Sequence, residues 1–496
     1  MSVLDQFGQS ISSRKLIRSS AHHVNGVEWQ PTLARDFDDL FTQSDWRSTL
    51  TQSRLVFANF AVPRAAMLQK AGWTSGTGWS LEYTGQDEDW GREATEKLQE
   101  WLDHADISGR GNFNLSIKSD SLAVDRDGDF FLMLIKDEND HPAIQRVPGH
   151  RIATRDPEKD LVGSDWAGAT LTSGVVTNDW GRIVAYHVIG EKQDGTDDRV
   201  VPSAHMIQIL DEEWQDQTRG IPAFAPVINE LRKSKTSEDW ELLAQLVNSS
   251  ISLVEYNDTG TADPNAAENY GAEPAVPEKD GITSQEINGG AIRYFRANSG
   301  NKLESISSSR PSDMWDRFQD RVDRKSCSAI DWPYELAGKI EGLNGVSIRN
   351  VQERARAAVS YRQRVLKDAY LRVVRWGLAS LIEAGVIPNP SAPADAKAFD
   401  FIMPPQLSID PRHDSKTALE EWRAGSLNMT QILRSKGRTV ESHYRQRCED
   451  IATRKRVKEE CEVKHGIEID EREMIMFTPN DMADTEPTEP TTTTDE

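Results

Sequence analysis

Only three cysteines occur in the 496 residues, Cys327, Cys448 and Cys461, an odd number without CxxC spacing. That scarcity excludes a disulfide framework, suggests no zinc site, and fits a reducing compartment. No stretch approaches the ~20 consecutive apolar residues that a membrane span requires. Met1 to Ser20 alternates polar and apolar residues, without the continuous apolar core of a signal peptide, so the chain is expected in the cytoplasm unless an assembly carries it elsewhere. Basic charge is short too: 58 Lys and Arg stand against 80 Asp and Glu, a formal net charge of -22. A protein that wraps nucleic acid by neutralising phosphates needs clustered cations, so that mode is excluded, while a role beside DNA without gripping it stays open. Catalytic signatures are absent as well. None of the ten histidines sits in an HExxH spacing, and there is no GxSxG elbow and no GxxxxGK[ST] phosphate cradle. No catalytic residue, metal or cofactor is expected.

What is present is length and pattern. The chain has room for two to four domains with their own cores. Residues 1–50 are polar with scattered aromatics (Trp29, Phe37, Phe41, Trp46) and predict an arm docked by a few anchors, with little regular core. A partly helical pattern over Thr51 to Ala71 leads into Gly72-Trp73-Thr74-Ser75-Gly76-Thr77-Gly78-Trp79, a turn rather than a nucleotide loop because no Lys-Ser/Thr follows. Glu93 to His104 predicts an amphipathic helix with Leu98 and Leu102 on one side. Asp125-Arg126-Asp127-Gly128-Asp129 hints at a calcium loop, but Lys136 occupies the place of the bidentate Glu. The stretch is therefore expected to be a turn with solvated acids that feeds a buried strand over Phe130 to Ile135. Between Ile144 and Ile209, short apolar runs separated by Asp, Asn and Gly predict strands and hairpins.

The second half is organised by long helices. Arg219-Gly220-Ile221-Pro222 is expected to open one of them, and Asn257 to Asp280 has the composition of an exposed excursion, followed by strand character at Ala291 to Phe295. Pro311 and the run Trp315, Phe318, Val322 predict a helix ending near Ile330. The loop Tyr334 to Gly345 carries three glycines, Gly338, Gly342 and Gly345, and reads as a mobile tip between helices. From Val346 no Pro or Gly occurs until Gly377, and Val351, Ala355, Ala358, Val365, Ala369, Val373 and Trp376 keep a helical stripe interrupted only by Arg362. A helix of roughly 35 to 40 residues, about 55 Å long, follows from 1.5 Å per residue. A Pro/Ala-rich linker over Pro388 to Pro405 and further helix patterns lead to a tail with six acids and no base from Pro479 on, expected to be disordered.

Three groups of residues in this order carry a resemblance. They are Arg219-Gly220-Ile221-Pro222-Ala223-Phe224-Ala225-Pro226-Val227, then Pro333-Tyr334-Glu335-Leu336, then Asp410-Pro411 with Lys416, Ala418 and Gly425 before Thr430. Together they resemble portal proteins of tailed phages, of the lambda type, over about Leu55 to Ala452. The resemblance implies an α+β, portal-like fold: after the arm, a mixed α/β wing (51–220), a first stem helix (221–254), a small β-containing clip (255–310) and a second stem helix (311–330). A tunnel loop (331–345), a long spine helix (346–387), a helical C-terminal crown (388–478) and the tail (479–496) complete it. It further implies a homo-oligomeric ring of about twelve copies at one capsid vertex, through which double-stranded DNA is packaged and ejected. Its partners would be the terminase large subunit, major capsid and scaffold proteins, and head-completion or tail connector proteins; its place would be the virion, with host cytoplasm during assembly. The tunnel-loop residues would be Glu335, Gly338, Lys339, Ile340, Glu341, Gly342, Asn344 and Gly345. Lys339 either faces DNA or pairs in solvent with Glu341, and Arg349, Arg354 and Arg356 either approach DNA or form intersubunit ion pairs. The chain departs from the family's Ser-Ser-Ala-Arg type start of the long helix, having Gly345-Val346-Ser347-Ile348-Arg349 instead. Two rivals remain: a metal-dependent nucleic-acid-processing enzyme, which needs a carboxylate cluster near a basic groove, and a helical scaffold without a channel.

Overall fold

The computed structural model describes residues 36–466 except 139, 157–158, 163, 193–194, 196, 259–275, 278–281, 288–290, 300–301, 305–312, 339–344 and 406–410. Two compact units divide the chain, Met1–Asp400 and Phe401–Glu496.

The first unit begins within the segment expected to be an arm. Helix α1 (Phe37–Leu40) precedes α2 (Gln43–Asn59), whose first turn is capped by the Thr42 hydroxyl accepting from Asp45 N. Phe37, Phe41, Trp46 and Leu50 are buried against Ile221 and Ala225. Residues 36–50 are thus part of a core, and the anchors Phe37, Phe41 and Trp46 dock on their own chain; Trp29 lies outside the described residues. Burying one such side chain fully stabilises by about 1.5–3 kcal/mol. Helix α3 (Ala61–Ser75) ends at Gly76, and the glycine-rich stretch turns into strand β1 (Ser80–Tyr83). Helix α4 (Glu88–His104) buries Ala94, Leu98 and Leu102, the amphipathic face expected from its spacing.

Helix α5 (Phe113–Asp127) stops at Gly128, where φ is +89°. A Cβ on Gly128 would lie 2.5 Å from the carbonyl oxygen of Gly220, and one on Gly220 would lie 2.1 Å from that of Gly128. Two backbones touch here, which only a pair of glycines permits. Strand β2 (Asp129–Lys136) follows at once and pairs antiparallel with β3 (Pro142–Pro148), Phe131 opposite Val147. Strands β4 (Thr170–Thr172), β5 (Val175–Thr177), β6 (Ile183–Val188) and β7 (Arg199–Pro202) form an antiparallel meander. Strand β8 (Met206–Leu210) returns to the other edge of β2. Phe131, Val147, Val175, Tyr186 and Met206 share one core between the two sheets.

Helix α6 spans Ile228–Ser250, shorter than the expected 221–254. Residue 225 precedes Pro226, which disfavours helical geometry there, so the chain turns tightly until Ile228 N reaches Phe224 O at 3.0 Å. Beyond Ser250 the backbone becomes strand β9 (Ile251–Asp258). With β10 (Val276–Pro277), β11 (Ile282–Ile287), β12 (Ala291–Ser299) and β13 (Lys302–Glu304) it makes a five-stranded sheet in the order β10-β11-β12-β9-β13. Of its neighbouring pairs, β12–β9 is parallel and the others are antiparallel. The excursion 257–280 lies mostly outside the described residues.

Helix α7 (Asp313–Ala329) comes back beside α6: Ser234 hydrogen-bonds Gln319, and Glu230 pairs with Lys325 at 2.7 Å, so the two helices run antiparallel. After the short α8 (Tyr334–Ala337), α9 (Gly345–Glu383) runs 39 residues. Its stripe packs Ala355, Val359, Leu366, Tyr370, Val373 and Leu378 inward, and Gly377 lets the Trp101 ring within 2.3 Å of where a Cβ would be. Gly385 at φ +72° ends the helix, with Val386 N donating to Leu381 O at 2.9 Å. The expected linker after it is partly core: Phe399 packs on Tyr83 and Trp90 with ring centroids 5.4 and 6.1 Å away. Strand β14 (Phe399–Ile402) leads into the second unit.

That unit holds α10 (Pro411–Arg423), α11 (Met429–Ser435), which starts on a reciprocal Asn428–Gln431 capping box, and α12 (Val440–His465). No residue of α12 is buried. The acidic tail from Pro479 lies outside the described residues.

Candidate functional site

The expected tunnel loop is rooted in a clamped base. Trp332 is buried edge-on to Trp73, centroids 5.3 Å apart, and its indole N–H donates to Gln69 Oε1 at 3.1 Å. Gln69 Nε2 in turn donates to Leu336 O at 3.0 Å, tying α8 to α3. Tyr334 Oη donates to Asp320 Oδ1 at 2.8 Å on α7, while Arg324 lies 4.7 Å above the Tyr334 ring and pairs with Asp320 at 2.8 Å. Burial, and then Asp320, push the Tyr334 hydroxyl up to about 12, so it remains a donor throughout the neutral range. Glu335 stands 3.8 Å from Arg324. Gly338 closes α8, and a Cβ there would come 2.5 Å from the Tyr334 ring. Gly345 opens α9 into free space, so no steric need selects glycine at that end. Lys339, Ile340, Glu341, Gly342 and Asn344 lie outside the described residues.

Asp323, also on α7, is pushed up to about 6 by burial and then by the charges of Asp320 and Glu238. Its ordinary value is 3.8, so the folded chain holds this proton more tightly than the unfolded one. The associated stability is complete below that ordinary value and is lost as pH rises through about 6. Asp323→Asn is therefore expected to raise the melting temperature more at about pH 8 than at about pH 4. Equal shifts in thermal melts at both pH values would contradict this assignment.

Beneath the loop base lies an ion network that the reading of the acids as solvated did not foresee. Asp125, Asp127 and Asp129 are 2%, 3% and 0% exposed. Each has its own cation from a distant segment. Asp125 takes Lys70 at 3.1 Å and Arg362 at 2.5 Å; Asp127 takes Arg54 at 2.9 Å and Arg126 at 2.8 Å; Asp129 takes Arg219 at 2.7 Å. Arg362, the interruption in the apolar stripe of α9, also reaches Asp211 at 2.6 Å. Lys70 completes the set by donating to Ile330 O at 2.8 Å, the end of α7. The available signal was an acid immediately before a buried strand together with a cation inside an otherwise apolar stripe.

Of the arginines considered for DNA or intersubunit contacts, Arg349 and Arg354 are exposed on α9, and Arg356 is half-buried and pairs with Glu353 of its own chain at 2.7 Å. Among the described residues no group of three or more His, Cys, Asp or Glu could hold a metal, and no helix is long and apolar enough to cross a membrane.

The family model for phage portal proteins of the lambda family matches residues 27–363. The chain belongs to that family. Portal proteins are structural components of virions, and the matched span contains the β3-β2-β8 sheet and the β4–β7 meander, both antiparallel helices, the loop base and the first half of α9. No curated protein matches. Among solved structures, a chain from the virion of a native gene transfer agent (GTA) particle is 15% identical, with 79% of this chain and 94% of that one covered at a TM-score of 0.47. A chain from the neck of the native GTA particle is 13% identical over 77% of this chain and 91% of that one, TM-score 0.46. An HK97 family phage portal protein from Corynebacterium diphtheriae is 12% identical over 71% of this chain and 94% of that one, TM-score 0.33.

Proposed function

We propose that this portal protein is a non-enzymatic ring subunit at a capsid vertex, serving as the channel for packaging and ejection of double-stranded DNA. About twelve copies form the ring, which docks the terminase large subunit and then head-completion or tail connector proteins, with capsid and scaffold around its rim. The observation that carries the reading is the match to the lambda portal family over most of the chain. In this reading 51–220 is the wing, α6 and α7 are the stem, the five-stranded sheet between them is the clip, residues 331–345 form the tunnel loop, α9 is the spine, and the helices after it are the crown. Two physical features support it. Trp240, Leu243 and Leu246, 67%, 48% and 67% exposed, follow one another at three-residue spacing on α6, the kind of apolar face that self-association covers. The net charge of -22 suits a conduit, because each neutralised phosphate would add affinity that must be lost again at every step.

Negative-stain microscopy of the purified full chain tests this reading. Rings with a central hole wide enough for a duplex are expected; monomers with metal-dependent DNA cleavage, or filaments, would refute it. Lys339 on the proposed tunnel loop touches passing phosphates transiently. Lys339→Glu is expected to give assembled heads with impaired DNA filling, measured as packaged DNA per head. Normal filling would remove Lys339 from the channel.

A further inference from the structure

One cavity of the first unit has the opposite sign to the acidic protein around it. Gln43, Arg47, His150, Arg151, Thr154 and Arg155 line a space of about 520 Å³, and no carboxylate is among its lining residues. Its wall is fixed: Gln43 Nε2 donates to Thr154 O and Thr154 N donates to Gln43 Oε1, both at 2.7 Å. A purely structural role accounts for Arg155, which is held by Asp198 at 2.8 Å and donates to Lys192 O at 2.8 Å. It accounts less well for Arg151, whose partner Glu191, 3.3 Å away, has a side chain 86% exposed. It does not account for Arg47, which has no carboxylate partner among the described residues. The Arg47 side chain is exposed overall, but its guanidinium is pushed below its ordinary range by partial desolvation and then by Arg219 and Arg155. His150 is likewise pushed down, by burial and then by Arg54 and Arg151. Desolvation is the larger cause of both shifts and the neighbouring cations add to it, so His150 is neutral at neutral pH while Arg47 keeps its charge with no carboxylate among the described residues paired to it.

We propose that this pocket is a docking site for an acidic protein segment, whose carboxylates reach Arg47 and Arg151. Guanidinium groups hold carboxylates through paired, charge-assisted hydrogen bonds, and a cavity of about 520 Å³ admits one or two side chains. A duplex offers a broad convex row of phosphates and cannot enter such a recess, whereas a single extended segment can place an acidic side chain in it. The site lies apart from the loop base and does not depend on the channel reading.

The test uses the full chain and a fluorescein-labelled hexapeptide of alternating Asp and Glu, with binding followed by anisotropy. Saturable binding is expected. Arg47→Glu, an exposed position without an ion-pair partner among the described residues, should weaken it by about tenfold or more, the effect of losing and reversing one charge-assisted contact. Arg151→Gln should weaken it several-fold, and the control Arg92→Glu on α4 should leave it unchanged. Equal affinity for wild type and Arg47→Glu would overturn the proposal. So would displacement of the peptide by a short duplex at lower concentration than by unlabelled peptide, which would assign the pocket to phosphates.

Discussion

Arg219→Met is expected to cost the fold about 3–5 kcal/mol, the range for removing one partner of a buried ion pair. Arg219 is 1% exposed, and all five of its N–H groups are used. Nε and Nη2 fork onto Asp129 at 2.7 and 2.9 Å; Nη1 donates to Ile152 O and Ser173 O at 2.6 and 2.8 Å; Nη2 also donates to Gly149 O at 2.8 Å. Trp46 lies 3.9 Å from the guanidinium, and its indole N–H donates to Gly220 O at 2.8 Å. One side chain therefore joins α2, the start of β2 and the turns at Gly149–Ile152 and Ser173. Methionine fills the volume but strands the Asp129 carboxylate, 0% exposed, and leaves three carbonyls without this donor. Arg219→Lys should recover little, because an ammonium has three donors in a compact head and cannot reproduce the planar fork. Asp129→Asn combined with Arg219→Met should be less damaging than Arg219→Met alone, since no buried charge is then left unpaired. Urea unfolding followed by circular dichroism measures all three. A loss below about 1 kcal/mol for Arg219→Met would show that Arg219 does not hold these segments together.

How much of this was legible in the chain depends on the range of the interaction. The 39-residue α9 was readable because its cause is local: a helical stripe without Pro or Gly until Gly377. The strands of 144–209 were readable from short apolar runs punctuated by turn residues, for the same reason. Residues 36–50 were misjudged because the surface that buries Phe37, Phe41 and Trp46 is supplied by Ile221 and Ala225, far along the chain. Helix α6 starts late because Pro226 restricts the residue before it, a local cue outweighed by the apolar run around it. The acids at 125, 127 and 129 were misread most seriously. Apart from Arg126 beside Asp127, their partners stand 55 to 237 positions away, so the cue of acids just before a buried strand is completed only by cations from other segments. At the candidate site, the motif Pro333-Tyr334-Glu335-Leu336 marked the loop base, but Gln69, Asp320 and Arg324, which hold it, come from α3 and α7 and carry no motif of their own.

Arg362→Leu is expected to destabilise the protein by about 3 kcal/mol, the low end for a broken buried pair, because Lys70 stays on Asp125 and Asp211 is 30% exposed at its side chain. Asp211 is pushed up by burial against the pull of Arg362, so loss of that cation favours its neutral form and softens the penalty further. The contrast with Arg219 is geometric. Nη2 of Arg362 alone meets both carboxylates, at 2.5 and 2.6 Å, while Nε and Nη1 have no hydrogen-bond acceptor among the described residues. A point charge can do most of that work, so Arg362→Lys should lose only about 1 kcal/mol where Arg219→Lys loses far more. The consequence reaches the loop. Asp125 is shared by Arg362 of α9 and by Lys70, which also holds Ile330 O at the end of α7, so one carboxylate joins the two helices that flank residues 331–345. In Arg362→Leu, amide hydrogen exchange over Asp331 to Gly338 should therefore quicken before global unfolding, while Arg362→Lys should keep it near wild type. If lysine proved as damaging as leucine at 362, or if exchange at the loop base stayed unchanged in the leucine variant, the network would be local packing rather than the common anchor of both helices.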